Sequence, residues 1–274
     1  ERDNRALLAR LRPSFVLAET LEAVQQVGHA DRAPPVLLFL DGRGLNAGDG
    51  KGLSAYADLS AGVAAEPPAC ATDSAAVAFV FHADTHGPSL RLSHAQLLGG
   101  ARKLVAREQL SGAEEALAAR VFAASGQARY LLAPWLCAGF CLNFPEAMAT
   151  RDTDRRELGP TLVLGTRESY ARLELWARER LPLPGTLAHR VYRWAMTPDA
   201  QGLRRWLGYW LVRRPLLDVL GMSRLRVPLL VGPALSQESA AFFGALGIHP
   251  GAWQEPSARP ERAEAHTHLI SHSV

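Results

Sequence analysis

The sequence predicts an α/β protein built from layered, mixed or mostly parallel sheets flanked by helices. Three observations support this fold class. Short apolar runs end at turn or polar residues, which is typical of strands. The runs are continuously apolar rather than alternating, as expected for strands covered on both faces. Amphipathic patterns lie between them, so the chain alternates strands with crossover helices.

The individual elements follow from these patterns. The apolar runs predicted to be strands are Val36–Asp41, Val77–Ala83, Tyr130–Ala133 with its flanking residues, Cys141–Phe144, Thr161–Gly165 and Val227–Val231. The segments predicted to be helices are Glu19–Val27, Ser93–Glu108, Ser111–Ser125, Arg167–Leu181, Thr186–Thr197, Ala200–Leu220 and Gln237–Leu246. Ser93 is a predicted N-cap, and Ser111 with Glu114 has the spacing of a capping box.

The composition favours a folded protein that does not bind nucleic acid. The 274 residues are 48% hydrophobic and 21% charged, which is ordinary for a globular protein. The net charge of +3 comes almost wholly from arginine, since the only lysines are Lys51 and Lys103. Acidic residues are interspersed with the basic ones, so no stripe of a single sign forms.

Cysteine usage and the lack of long apolar stretches predict a cytoplasmic location. Cys70, Cys137 and Cys141 have no CxxC spacing and are predicted to be reduced thiols. Cys137 and Cys141 are expected to act as small buried hydrophobic residues. Glu1–Leu11 has no apolar signal-peptide core, and no apolar stretch reaches the ~18 residues of a spanning helix. We therefore expect at most peripheral membrane contact.

One segment combines aromatic residues with arginines. The residues are Trp194, Trp206, Tyr209, Trp210, Arg204, Arg205, Arg213 and Arg214. In a helix the aromatic side chains are expected to face the core while the arginines surround them. Contact with an anionic membrane surface is the alternative.

The order of several segments carries a resemblance to a known family. Gly139–Leu164 reads GFCLNFPEAMATRDTDRRELGPTLVL, and Arg167–Arg180 reads RESYARLELWARER. His189–Met196 (HRVYRWAM) and Gly208–Val227 (GYWLVRRPLLDVLGMSRLRV) follow. In this order the chain resembles the long-chain acyl-CoA synthetases of the adenylate-forming, AMP-binding superfamily, over Pro13 to His249. The resemblance implies the middle of that family's large α/β domain, without a counterpart of its C-terminal lid.

The resemblance also implies domain boundaries. Residues 1–75 are expected to form the N-terminal part of an AMP-binding-like domain, and residues 76–249 its central α/β subdomain. The apolar pattern ends near Pro250, so residues 250–274 are expected to be a weakly ordered tail.

In the family, a glycine-rich loop with a lysine holds the ATP phosphates. The corresponding positions here are His82, Ala83, Asp84, Thr85, His86, Gly87, Pro88 and Ser89. Ala83 and His86 replace glycines, and Ser89 replaces the lysine. Asp84 adds a negative charge where the phosphates would lie. These changes oppose anion binding, so we expect a structural turn with weakened or absent ATP binding.

Two further family segments have partial counterparts. Pro134 and Trp135 match a loop beside the acyl tunnel, but the tunnel helix that should follow is missing. Gly232, Pro233 and Ala234 resemble the turn that lines the adenine pocket. The family's Thr-Glu pair for phosphate and magnesium is not found, and its catalytic lysine would fall beyond the last residue. No catalytic residue is therefore assigned.

A metal site is the alternative for two histidine groups. His82, Asp84 and His86 alternate along an extended segment, which puts their side chains on one side. His266, His268 and His272 could also bind a transition metal. Polar loop residues and a solvated tail are the expected roles, and no metal is assigned.

The sequence leaves several functions open. The first is a catalytically inactive synthetase-like protein that binds an acyl or nucleotide ligand, or a partner such as an intact synthetase. The second is one chain of a split fatty acid–CoA ligase, whose missing half would complete the use of ATP, magnesium and CoA. The third is an unrelated α/β binding module. Since Ala83, His86 and Ser89 lie in this chain, a companion chain would not repair the loop.

Overall fold

The computed structural model describes residues 4–19, 21–28, 34–40, 42, 53–61, 73–82, 89–118, 126–145, 147, 149–197 and 202–252. The chain divides into two compact units. The N-terminal unit comprises residues 1–73 and 80–89, and the main unit comprises residues 74–79 and 90–274. The domain boundaries inferred from the resemblance stay a prediction.

The N-terminal unit contains a three-stranded parallel sheet. Its elements are α1 (Asn4–Leu11), β1 (Phe15–Ala18), α2 (Leu21–Gly28), β2 (Val36–Phe39), β3 (Leu53–Ala55) and α3 (Tyr56–Ser60). The strand order is β1-β2-β3, with Phe15 beside Val36 and Leu37 beside Leu53. Apolar residues of α2 and the strands form a small core of Ala18, Val24, Val27, Leu37 and Phe39.

A two-stranded sheet precedes the first helix of the main unit. It consists of β4 (Val77–His82) and β5 (Ser89–Ser93). Ser93 then caps α4 (His94–Glu108), because its hydroxyl accepts a hydrogen bond from the backbone N–H of Gln96 at 3.1 Å. The Gln96 side chain accepts a bond from the Ser93 N–H at 2.9 Å, which completes a capping box. The predicted N-cap is confirmed.

The main unit is built around a five-stranded parallel sheet with the order β10-β9-β8-β6-β7. Its strands are β6 (Glu115–Leu117), β7 (Cys141–Asn143), β8 (Leu162–Thr166), β9 (Val227–Val231) and β10 (Gly251–Ala252). Its helices after α4 are α5 (Ala133–Ala138), α6 (Arg151–Leu158), α7 (Arg167–Arg178), α8 (Leu187–Ala195), α9 (Gly202–Gly208), α10 (Arg214–Val219) and α11 (Gln237–Ala245). The fold class predicted from the sequence is confirmed.

Each face of this sheet carries its own core, because side chains alternate along a strand. Leu162 and Leu164 of β8 point to the face where Leu104 and Leu131 pack. The other face packs against α7, α10 and α11, and its buried residues include Tyr170, Leu173, Leu217, Leu220, Leu230, Phe242 and Phe243. A Cβ at Gly165 would lie 2.5 Å from the Tyr170 ring, so glycine is needed there for the ring to pack. The sheet is thus covered on both sides, as its apolar strands predict.

The predicted strand at Tyr130–Ala133 is wrong. Residues Ala128–Leu132 form a π-helical turn that continues into α5. Pro134 follows within α5, and a proline removes one N–H and crowds the carbonyl four residues earlier. Widening of the preceding turn relieves this crowding. The same order recurs where the π-helical turn Tyr209–Arg213 is followed by Pro215 in α10.

The predicted helix at Ser111–Ser125 is also wrong over its described part. Residues 115–117 form β6 instead, and residues 119–125 lie outside the described residues. Glu114 does not act in a capping box, because it is buried and ion-paired with Arg226. Its carboxylate also accepts a hydrogen bond from Thr161 Oγ1 at 2.7 Å. A partner distant in sequence therefore decides the structure here.

Two cysteines differ from the expectation that they are buried. Cys137 and Cys141 are exposed rather than buried. Cys137 lies on the outer side of a short helix, and Cys141 lies in β7 at the edge of the sheet. Cys70 lies outside the described residues. Among the described residues, no helix is long and apolar enough to cross a membrane.

Candidate functional site at the carboxyl edge of the main sheet

The strand order creates a switch point between β6 and β8. The chain moves from β6 outward to β7, and then returns past β6 to begin β8, β9 and β10 on the other side. Connections on the two sides therefore leave the sheet in opposite directions. In open α/β sheets, ligands bind in the crevice at the carboxyl ends of the strands at this point. Here those ends are Leu117 and Thr166.

A small cleft lies at the switch point, between α6 and α7. Its floor is formed by Leu117, Val163 and Gly165. The remaining lining residues are Arg151, Arg155, Leu164, Ser169, Tyr170, Arg172 and Leu173. The volume of about 30 Å³ holds a water or two. The cleft is thus sized for one polar group of a ligand rather than for a whole nucleotide.

Arginine is the dominant charge in this cleft. Arg151 Nε lies 3.4 Å from Asp152 Oδ1, and Arg155 donates from a terminal nitrogen to the same oxygen at 2.8 Å. Arg172 approaches Asp152 Oδ2 at 3.5 Å from the neighbouring helix. Three guanidinium groups therefore share one carboxylate, which leaves an excess of positive charge. Arginine's planar fork suits carboxylate or phosphate oxygens.

Arg155 is the fixed member of this group. It is 4% exposed, and its Nε donates to the Leu220 carbonyl at 2.8 Å. Burial lowers the pKa of Arg155 below its ordinary value, and the charge of Asp152 partly opposes that shift. The guanidinium stays charged at neutral pH. Gly221 allows the close packing, because a Cβ there would lie 2.7 Å from the Arg155 carbonyl oxygen, and its φ is +65°.

The local sequence explains how the two helices present these groups. Arg151 and Arg155 are four residues apart on α6 and share a face. Thr166 and Ser169 form a capping box at the start of α7, with the Ser169 hydroxyl 2.7 Å from the Thr166 nitrogen. Both helices begin on the carboxyl side of the sheet. A cation at the first residue of a helix opposes the helix dipole, so Arg151 is a locally unfavourable choice.

The predicted adenine-pocket residues lie at the same edge. Gly232, Pro233 and Ala234 follow the last residue of β9 and form an exposed turn. Val231 pairs with Thr166, so this turn begins beside the carboxyl end of β8. Gly232 has a φ of +91°, a conformation that favours glycine.

The predicted acyl-tunnel residues do not reach this edge. Pro134 and Trp135 lie in α5, where Pro134 is buried and Trp135 is partly exposed. After α5 the chain enters β7 at its amino end. A Cβ at Gly112, ahead of β6, would lie 3.6 Å from the Gly139 carbonyl oxygen, which places the end of α5 at the amino side of the sheet. Pro134 and Trp135 therefore stay apart from the arginine-lined cleft.

The predicted nucleotide loop is visible only at its ends. His82 ends β4 and Ser89 begins β5, while Ala83, Asp84, Thr85, His86, Gly87 and Pro88 lie outside the described residues. A ring nitrogen of His82 lies 3.3 Å from an Arg10 guanidinium nitrogen, within the N-terminal unit. No group of His, Cys, Asp and Glu in the described part of the chain could hold a metal ion. His266, His268 and His272 also lie outside it.

Sequence reasoning did not identify the cleft arginines as site residues. Arg151 and Arg155 stand in the segment RDTDRREL, whose four-residue spacing indicates a shared helix face. Arg172 comes from the next helix. Its approach to Asp152 depends on the packing of α6 against α7, which no local pattern encodes.

Comparisons with known proteins address the fold. No family model and no curated protein matches this chain. Among solved structures, the A domain of a carboxylic acid reductase from Segniliparus rugosus, in complex with AMP and a co-purified carboxylic acid, has a TM-score of 0.64 at 15% identity. That match covers 91% of this chain and 42% of the reductase chain. This protein has the fold of part of an AMP-binding, adenylate-forming enzyme.

Two further solved structures agree with the adenylate-forming fold. The adenylation domain of a carboxylate reductase from Mycobacterium chelonae has a TM-score of 0.59 at 14% identity, covering 92% of this chain and 41% of that chain. A benzoate CoA ligase from Burkholderia xenovorans LB400 has a TM-score of 0.58 at 17% identity. That match covers 92% of this chain and 44% of the ligase chain. The chain spans less than half the length of these proteins. Long-chain acyl-CoA synthetase as the particular family stays a prediction.

Proposed function

We propose that this chain is a long-chain acyl-CoA synthetase-like protein that binds the carboxylate of an acyl ligand and does not activate it by itself. The observation that carries the proposal is the arginine-lined cleft at the switch point of the sheet. Arg151, Arg155 and Arg172 converge there on the single carboxylate of Asp152. The excess positive charge favours an anionic group, and the fold neighbours include an enzyme solved with a carboxylic acid.

The floor of the cleft favours an apolar substituent next to that anionic group. Leu117, Val163 and Leu173 line the cleft, so the methylene group next to the carboxylate would lie against apolar side chains. Burying that methylene group is favourable by about 0.8 kcal/mol. The combination suits a fatty acid better than a free phosphate.

The proposal of inactivity rests on the nucleotide loop of the sequence. Asp84 brings a negative charge to the ATP-phosphate position, and Ser89 replaces the lysine that would neutralise it. ATP, magnesium and CoA are therefore not expected to be used by this chain alone. We further propose a cytoplasmic role in fatty acid metabolism as a pseudoenzyme, with an intact synthetase as a candidate partner.

One observation favours a second candidate, a chain of a split fatty acid–CoA ligase. The turn Gly232–Ala234 lies at the same sheet edge as the arginine-lined cleft. The resemblance assigns this turn to an adenine pocket, and formation of an acyl-adenylate would need such a pocket close to a carboxylate-binding group. In this version another chain would contribute the magnesium, ribose and lysine contacts, whereas the altered loop at Ala83, His86 and Ser89 would remain.

The test compares decanoate with decanol by calorimetry. Decanoate is expected to bind more tightly, because only its carboxylate can pair with the arginines. The double variant Arg151→Gln/Arg172→Gln removes the two cleft arginines other than the buried Arg155. It should weaken decanoate binding at least tenfold, since a charged hydrogen bond contributes about 1.5–3 kcal/mol. Arg102→Gln, an exposed position on α4, is the matched control and should bind decanoate as the unmodified chain does.

Two results would contradict the first proposal. Equal affinities for decanol and decanoate would show that the arginines do not bind the carboxylate. Exchange of labelled pyrophosphate into ATP, when the chain is given decanoate and magnesium, would show activation by the chain itself. The second result would favour a catalytically active ligase.

A further inference from the structure

We propose that the continuous helical segment from Gly202 to Val219 docks the protein on an anionic lipid bilayer. This segment comprises α9, the π-helical turn Tyr209–Arg213 and α10, and we call it the aromatic–arginine helix. Its sequence, GLRRWLGYWLVRRPLLDV, holds four arginines and one acidic residue, for a net charge of +3. This inference does not depend on the carboxylate-binding proposal.

The aromatic residues of this helix lie outward rather than in the core, contrary to the expectation from sequence. Trp206 is 58% exposed, Trp210 is 46% exposed and Leu203 is 71% exposed. Positions 203, 206 and 210 follow helical spacing, so the three side chains share one face. Leu211, at 61% exposure, extends this apolar surface. Two tryptophans and two leucines facing outward on one helix form a patch that needs an explanation.

The opposite side of the helix is fixed to α8. A Cβ at Gly208 would lie 3.2 Å from Ala195 Cα, so the two backbones approach closely there. Arg213 Nε donates to the Ala195 carbonyl at 3.1 Å, and Arg204 donates to the Trp194 carbonyl at 3.1 Å. The helix is therefore held in place with its tryptophan face outward.

The remaining arginines border the tryptophan face. Arg214 lies 4.4 Å from the centre of the Trp210 ring, and Arg205 adjoins Trp206 in the sequence. Within the described ranges, no carboxylate forms an ion pair with Arg204, Arg205, Arg213 or Arg214. The positive charge of this surface is thus available to an anionic partner.

An anionic bilayer matches this chemistry better than a second copy of the chain. Tryptophan prefers the membrane–water interface, and arginine adds attraction to anionic headgroups. An 18-residue helix is about 27 Å long, so it can lie in the interfacial plane. A second copy would bring two helices of net charge +3 together, which opposes dimer formation.

Co-sedimentation with lipid vesicles tests this proposal. The full chain should bind vesicles of phosphatidylcholine mixed with phosphatidylglycerol, and bind less to vesicles of phosphatidylcholine alone. The double variant Trp206→Ala/Trp210→Ala should lose at least tenfold in partitioning. Arg205→Gln/Arg214→Gln should lose about 25-fold, since each arginine near an anionic surface contributes about fivefold. These side chains are exposed, so far-UV circular dichroism should stay unchanged.

The control pairs an exposed leucine with an exposed arginine elsewhere in the main unit. Leu175→Ala on α7 and Arg102→Gln on α4 should leave partitioning unchanged. Equal binding to neutral and anionic vesicles, or no binding to either, would overturn the proposal. It would also be overturned if the chain self-associates without lipid and Trp206→Ala/Trp210→Ala abolishes that association, because a second copy would then cover this face.

Discussion

At the scale of single residues, Tyr170 links the cleft to the core behind it. Its ring lines the cleft, is 1% exposed and meets Phe243 edge-on with the ring centres 5.2 Å apart. Its hydroxyl donates to the Leu229 carbonyl at 3.3 Å. Burial raises the pKa of Tyr170 above its ordinary value of 10.0, because the phenolate would lose its hydration. The contribution of Tyr170 to the free energy of unfolding therefore depends on pH.

Stability should fall as the pH rises past about 10, and Tyr170→Phe should reduce that fall. Below that pH both states hold the phenol proton; above it, only the unfolded chain releases it, which favours unfolding. One such group contributes up to about 1.4 kcal/mol per pH unit. At pH 7 the variant should lose about 1 kcal/mol for the missing hydrogen bond. Urea unfolding at a series of pH values measures both effects.

Tyr192→Phe provides a graded comparison. Burial also raises the pKa of Tyr192, but that side chain is less buried than Tyr170 and the charge of Arg178 opposes the shift. Tyr192→Phe should therefore reduce the alkaline loss of stability less than Tyr170→Phe does. If Tyr170→Phe leaves the alkaline slope of the unfolding free energy unchanged, Tyr170 is not the buried group that the structure indicates.

The cleft also contains a feature that could not be predicted from the sequence, namely the meeting of its three arginines. Arg151 and Arg155 lie in the segment RDTDRREL, and their four-residue spacing indicates a shared helix face. Their meeting with Arg172 requires the relative position of α6 and α7. Tertiary packing sets that position, so the convergence on Asp152 could not be read from the chain.

At the scale of elements, patterns that are local in origin were predicted well. β9 has the predicted bounds Val227–Val231, and α4 begins after its predicted Ser93 cap. Elements whose structure depends on contacts with residues distant in the sequence were not predicted well. The run Tyr130–Ala133 is as apolar as a strand, yet it is helical, and short apolar runs do not distinguish the two states. At Glu114 the partner is Arg226, more than a hundred residues later.

Ser93 and Ser111 were both predicted to begin helices, but only Ser93 caps one, so substituting each should have a different effect on stability. Ser93→Ala should lower the free energy of unfolding by about 1 kcal/mol, because the N–H of Gln96 loses its acceptor. Ser111→Ala should cost only a few tenths of a kcal/mol, since Ser111 starts no helix and its hydroxyl accepts only a 3.3 Å bond from Ala113 N–H. Chemical denaturation of both variants measures the difference. Equal losses would contradict the assignment of Ser93 as the cap.

At the scale of the whole molecule, the order of segments predicted more than any motif did. The resemblance pointed to the adenylate-forming superfamily, and the solved structures share that fold at 14–17% identity. The narrower assignment to long-chain acyl-CoA synthetases concerns the choice of ligand. Ligand choice depends on the side chains that line a site, and the fold alone does not determine those.

The two compact units have separate cores, which predicts separate unfolding transitions. The N-terminal unit is built on Val24, Leu37 and Phe39, whereas the main unit packs on both faces of its five-stranded sheet. All six tryptophans lie in the residue range of the main unit. Tryptophan fluorescence therefore follows the main unit alone, and amide hydrogen exchange of β1 and β2 follows the N-terminal unit.

Two cavity-forming variants test this independence. Phe39→Ala should destabilise the N-terminal unit by about 3–5 kcal/mol, because its buried ring is lost from a small core. Amide exchange in β1 and β2 should then become faster, while the denaturation midpoint followed by tryptophan fluorescence stays unchanged. Phe243→Ala, in the main unit, should shift the fluorescence midpoint and leave exchange in β1 and β2 as it was. If Phe39→Ala moves the fluorescence midpoint as far as Phe243→Ala does, the units unfold as one cooperative body.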